Sequence, residues 1–267
     1  MKEKMKSSKQ VVYKADLQRV GSLVDESLTS LSEYARIGSW KETEKLIRQR
    51  NLLSKRSSTT LQGILAAIRR RFLSNHEFLP NGYLLAKFVT KDIPKIAKIQ
   101  ALYPYICESD QLIKTLILNV VARKIKTFNS TLTKPDILSF IENEQKHHVE
   151  LRKWSDYLKK RWIRGFLAFL RDFGIMEKAP SNKLIKPLLR VETFTFFMLG
   201  LLQKNLTPHE ALHNTIWRLY FMEDLDVEQL LINAQARGWF YYSKAGDIIE
   251  VKPRCKSLEG WLNECLG

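Results

Sequence analysis

The residues best suited to chemistry stand at His209-Glu210-Ala211-Leu212-His213. Two histidines four apart on a helix share a face and can hold one zinc ion, and the glutamate between them can act as general base on a bound water. The pattern has a competing use. Thr207-Pro208 just before it reads as a helix start, with Thr207 as cap and Glu210 closing a capping box. No histidine follows, so a third ligand must be an acid such as Glu223, Glu228 or Glu259. His147-His148, in the charged run EQKHHVE, reads as a solvated helix end. Cys107, Cys255 and Cys265 are odd in number and lack metal or redox spacing, so they are expected as reduced thiols. No P-loop, dinucleotide fingerprint, G-x-S-x-G or nuclease-like acid cluster is present. The expectation is a non-enzymatic protein without metal or cofactor, with zinc hydrolysis through His209, Glu210 and His213 as a rival.

The other chemistry the chain can do is phosphate binding. Between Lys41 and Arg71 stand nine basic residues and two acids, a local charge of +7. The segment 39–75 reads as helix, basic turn, helix. In the second helix Leu61, Ile64, Leu65, Ile68 and Phe72 make one apolar stripe, and Gly63, Ala66, Ala67 and Arg70 lie opposite. Such a small-residue face can lie close to a phosphate backbone. Ser57 or Ser58 can cap this helix, with Lys55-Arg56 just before it, and a helix N-terminus flanked by cations attracts anions. The candidate contacts here are Lys41, Lys45, Arg48, Lys55, Arg56, Ser57, Arg69, Arg70 and Arg71. A second basic face is expected on a long helix over 151–173, where seven cations from Arg152 to Arg171 face one acid, Asp156. Its candidates are Arg152, Lys159, Lys160 and Arg164. The stripe Leu151, Trp154, Leu158, Trp162, Phe166, Leu170 and Phe173 on the same helix is read as core, not as a base-stacking platform.

The run Arg50-Asn51-Leu52-Leu53-Ser54-Lys55-Arg56-Ser57, then Thr60 and a helix ending in arginines, resembles the most recognisable motif of the BrxA family of bacterial BREX phage-defence systems. The resemblance is best over 13–72, continues more weakly to about 190, and beyond that is one of general character. It implies an antiviral role, a helical fold similar to the NusB antitermination factor in the N-terminal part, DNA binding, and other BREX proteins as partners. The motif is not catalytic.

These residues need elements to hold them. The chain has 267 residues, 45% of them apolar, enough for a sizeable core. The net charge of +16 points to a polyanionic partner. From Thr207 onward six cations face nine acids, so the basic surface belongs to the first three-quarters. No signal peptide is seen, and the longest uncharged apolar run, 193–203, is far short of the ~20 residues a membrane span needs. A cytoplasmic protein without membrane contact is expected. Helices are predicted over 23–37, 83–89, 93–103, 109–128, from Thr133, and over 226–237 and 258–266, with hairpins over 175–189 and 239–252.

The predicted architecture is mainly α: a mobile basic tail over 1–10, a helical bundle over 11–150, and over 151–267 a smaller α+β, winged-helix-like domain with short β-hairpins. The expected function is non-catalytic binding of double-stranded DNA through phosphates, with weak sequence preference. An RNA-binding module, or an assembly subunit whose basic face meets acidic proteins, remain alternatives.

Overall fold

Helix caps written in the sequence set the order of elements. The computed structural model describes residues 13–15, 17, 21–127, 130–246 and 248–266; the tail expected over 1–10 lies outside the described residues. Helix α1 (Val24–Ile37) stops at Gly38, whose left-handed φ of 79° suits glycine. The next helix, α2 (Trp40–Arg50), starts at Ser39, whose side chain accepts from the Glu42 N–H. Ser57 caps α3 (Ser58–Phe72) by accepting from the Thr60 N–H at 3.3 Å, and Asn81 caps α4 (Gly82–Thr90). The α3 stripe Leu61, Ile64, Leu65, Ile68 and Phe72 is buried as expected.

Helix α5 (Lys95–Ser109) runs through Pro104, past the end expected at Tyr103. Proline lacks the N–H that would bond the carbonyl four residues back. That carbonyl, on Gln100, instead accepts the Tyr220 hydroxyl at 2.9 Å. The buried Gln100 side chain donates to the Leu188 carbonyl at 2.8 Å and accepts the Arg190 N–H at 2.9 Å. A distant tyrosine thus removes the main reason for the helix to end. Beyond it, α6 (Gln111–Leu116), a π-helical turn (Ile117–Val121) and α7 (Ala122–Ile125) take the place of the single helix predicted over 109–128, which ends by Ile125. Helix α8 (Lys134–Glu144) opens on the capping box of Thr133 and Asp136.

Two expectations need correction. The helix predicted over 151–173 is broken into α9 (Val149–Arg152) and α10 (Asp156–Asp172), because Ser155 caps the second by accepting from the Leu158 N–H at 3.2 Å. The hairpin predicted over 175–189 is reduced to one bridge, Met176 to Leu184. The return segment is shared: the Leu184 N–H donates to the Ser130 carbonyl and the Leu132 N–H to the Asn182 carbonyl.

The rest comprises α11 (Val191–Leu202), α12 (Pro208–Leu212), α13 (Thr215–Leu219), α14 (Asp224–Ala236), strands β1 (Phe240–Ala245) and β2 (Ile248–Pro253), and α15 (Leu258–Glu264). The strands pair antiparallel, Phe240 opposite Pro253 through Ala245 opposite Ile248, forming the predicted second hairpin. The buried Glu192 carboxylate in α11 accepts from Arg237 at 2.9 Å, and Arg237 lies over the Trp239 ring, which anchors the start of the hairpin.

The fold is mainly α with one small β-hairpin. Rings in contact cross the boundary expected at 150/151: Tyr103 meets Phe169, Phe173 and Tyr220, and Phe88 meets Phe196 and Trp261. One hydrophobic cluster runs from Tyr13 to Leu266. The stripe residues Trp154, Trp162, Phe166, Leu170 and Phe173 belong to it. The aromatic stripe is therefore core.

Candidate nucleic-acid interface

Helix α3 has an outer face as distinct as its inner one. Thr59, Gln62, Gly63, Ala66 and Arg69 are exposed and recur three or four apart. A Cβ built on Gly63 meets nothing within 4 Å, so no internal packing requires glycine there. Ala67, expected on this face, is buried. Two grooves flank the outer face. One, of about 570 Å³, lies toward α1 and is lined by Glu26, Lys55, Thr59, Gly63, Ala66 and Arg70. The other, of about 550 Å³, lies toward α2 and is lined by Glu44, Arg48, Gln62, Ala66, Arg69 and Arg70. Ala66 and Arg70 line both, so α3 forms a low ridge between two troughs with cations along each.

The predicted cations sort into three environments. Lys41, Lys45, Arg48, Arg56 and Arg69 are exposed and, among the described residues, form no ion pair. Their desolvation on meeting a phosphate is small, and among the described residues no ion-pair partner competes. Lys55 is half-buried and bonded to the Glu26 carboxylate at 2.8 Å, so part of its charge is already balanced. The Ser57 hydroxyl holds the helix cap.

Arg71 must be corrected. It is buried, and its guanidinium donates to the carbonyls of Gly21 and Ser22 at 2.9 and 3.1 Å. It ties the segment before α1 to the end of α3 and presents no charge to a phosphate.

The second basic surface is separate. Lys159, Lys160 and Arg164 rim a groove of about 700 Å³ between α8 and α10, whose lining also includes Lys134, Leu138, Tyr157 and Ile163 and the acids Glu142 and Asp156. It shares no lining residue with the troughs beside α3. Lys160 and Arg164 are exposed, while the Lys159 side chain is 12% exposed and 3.7 Å from Asp156. Arg152 lies before α10 and is turned inward in its bonding: it donates to the carbonyls of Gln145 and Lys146 at 2.7 and 2.8 Å, closing the end of α8. It is a helix cap, not a member of the basic face of α10.

At the zinc-like motif, the capping box forms as expected. The Thr207 N–H and hydroxyl both donate to the Glu210 carboxylate at 2.8 Å, and the Glu210 N–H donates back to the hydroxyl at 3.2 Å. The donation from the Thr207 backbone holds the Glu210 carboxyl below its usual range. A carboxylate so occupied is a weak base. The His209 and His213 rings stack at 4.2 Å, and His213 Nδ1 lies 2.8 Å from the His209 carbonyl. Among the described residues, no three His, Cys, Asp or Glu side chains gather as metal ligands.

Sequence reasoning missed a further cleft of about 410 Å³. Arg123, Lys126 and Arg218 line it with the acids Glu223 and Asp224 beside the π-helical turn, and Lys126 is paired with Glu223. These residues come from two distant stretches, so no local spacing announces them. Among the described residues, no helix is long and apolar enough to cross a membrane.

The BrxA family model matches residues 12–199. Among solved structures, the chain is similar to an uncharacterized protein from Magnetospirillum magneticum, with a TM-score of 0.61 at 16% identity, over 73% of this chain and 96% of that one. At that identity the likeness is one of fold. No curated protein matches.

Proposed function

The chain belongs to the BrxA family, a component of BREX phage defence, and from that premise we propose that it is a non-catalytic DNA-binding member that engages duplex phosphates through α2 and α3. The observation that carries this is the set of five exposed cations, Lys41, Lys45, Arg48, Arg56 and Arg69, which among the described residues form no ion pair and stand beside a ridge of small residues. A duplex carries one negative charge per ~1.7 Å of axis, and cations that replace its counterions gain free energy from their release. Gly63 and Ala66 let a sugar–phosphate strand approach the helix closely, and Arg48, Arg69 and Arg70 line the trough beside it.

Contacts of this kind fix position without reading bases, so the binding has weak sequence preference. It takes place in the cytoplasm, where other BREX proteins are its partners. The face rimmed by Lys160 and Arg164 is a second, weaker phosphate contact. The test is binding to a fluorescent duplex across a salt series, with structured RNA of equal length as competitor. Affinity that falls steeply with salt and survives the RNA competitor supports the reading. Salt-independent binding, or preference for RNA, overturns it.

A further inference from the structure

The C-terminal hairpin and the last helix carry two thiols that chain order keeps apart. Cys255 follows β2, and Cys265 is the C-terminal cap residue of α15, ten positions later. Their sulfurs lie 3.2 Å apart, and both side chains are half-buried. The third cysteine, Cys107, is fully buried in α5. We propose that Cys255 and Cys265 form a reversible dithiol–disulfide pair that locks α15 to the exit of the hairpin.

A disulfide needs sulfurs about 2.05 Å apart, so closure asks for a movement of about 1 Å, within the reach of side-chain rotation. Two S–H bonds break and one S–S bond forms. The two protons and two electrons go to an oxidant: a peroxide, whose O–O bond breaks to give two waters, or a diazene, which becomes a hydrazine. A small thiol reverses the step by exchange. Burial, and then the Cys265 sulfur beside it, push the Cys255 thiol up to about 11. Cys255 therefore rests protonated at neutral pH, and the bond forms faster as pH rises.

The bond has something to hold. Trp261 in α15 packs against Phe88 and edge-on against Trp239, and Glu259 pairs with Lys87 of α4 at 2.5 Å. Helix α15 thus touches both the bundle and the start of the hairpin. A bond at Cys265 would fix its free end as well.

The test uses the full chain with diamide, a diazene, followed by thiol titration and peptide mapping. Before oxidation, two thiols titrate in the native protein and a third appears in denaturant. Afterwards none titrates natively and one appears in denaturant, which is Cys107. Trypsin cuts after Arg254 and Lys256, so the expected product joins the dipeptide 255–256 to the peptide 257–267, and dithiothreitol releases it. Cys255→Ser and Cys265→Ser should each abolish that product. The oxidised chain should also melt above the reduced one. Two thiols still titrating after diamide, or cross-links found only between chains, would overturn the proposal.

Discussion

The arginines at the end of α3 adjoin in sequence yet should behave as different kinds of residue. Consider the triple change Arg48→Ala, Arg56→Ala, Arg69→Ala. All three side chains are exposed and, among the described residues, unpaired. Each substitution should alter stability by no more than about 0.5 kcal/mol. If each contacts a phosphate, the slope of log affinity against log salt falls by about 0.9 per contact, or about 2.7 for the three. Between 50 and 200 mM salt, about 0.6 log units, the parent should therefore lose about 40-fold more affinity than the triple variant. Fluorescence anisotropy on a labelled duplex reads this directly. Arg71→Ala should do the opposite. It leaves the buried Ser22 carbonyl and the half-buried Gly21 carbonyl without their charged donor, a loss of about 2–4 kcal/mol, and lowers the melting temperature by about 5–15 °C. The salt slope of the folded protein should stay unchanged. A triple variant with the parent's slope refutes the assignment of α2 and α3 as the binding face. An Arg71→Ala variant with normal melting and a flattened slope refutes the division among the arginines.

Other changes test the framework that holds this face. Tyr220→Phe should cost about 1–3 kcal/mol in chemical denaturation, because the Gln100 carbonyl beside Pro104 loses its donor; a neutral result would mean that water takes its place. Trp162→Ala should cost about 3–5 kcal/mol, since the ring is fully buried against Phe166, and single-strand binding lost without loss of stability would reverse its assignment to the core. The Tyr13 N–H donates to Glu150 at 2.7 Å and holds that carboxyl below its usual 4.5. The stabilisation is thus fully present above pH 4.5 and is lost as pH falls through the lower folded value. Exchange at the Tyr13 amide, followed by NMR, should quicken relative to its intrinsic rate in that window, and constant protection would refute the link.

How much of this was legible in the chain depends on the range of the interaction. Ser39, Ser57, Thr133 and Thr207 announce their helices because a cap is settled within four residues. The hairpin over Phe240 to Pro253 was readable for the same reason. Arg71 carried a signal that its charge obscured: it stands three residues after Ile68 and seven after Ile64, in phase with the buried stripe. A cation at such a position has to find carbonyls inside the fold. The segment over 175–189 failed because its pairing partner, near Ser130, is over fifty residues away. The continuation of α5 through Pro104 rests on Tyr220, and the meeting of Cys255 with Cys265 on how α15 folds back. Neither follows from local spacing. The cations expected on α2 and α3 are exposed apart from Arg70 and Arg71, but charge counting could not separate them from Lys55, which pairs with Glu26, or from Arg152, which caps a helix.

The chain of ring contacts from Phe166 through Tyr103 and Tyr220, and from Phe196 through Phe88 to Trp261, also bears on how the protein comes apart. Along this route ring meets ring from the early helices to the late ones. Heating should therefore melt the hairpin and the basic helices together, as one cooperative unit with a single calorimetric peak whose enthalpy matches the van't Hoff value. The segment matched by the BrxA family model ends at residue 199, inside α11. A chain cut there would lose Trp217, Tyr220 and Trp261 from the ring lattice. It would then expose Phe88, Tyr103 and Phe194 to water rather than leave a self-sufficient half.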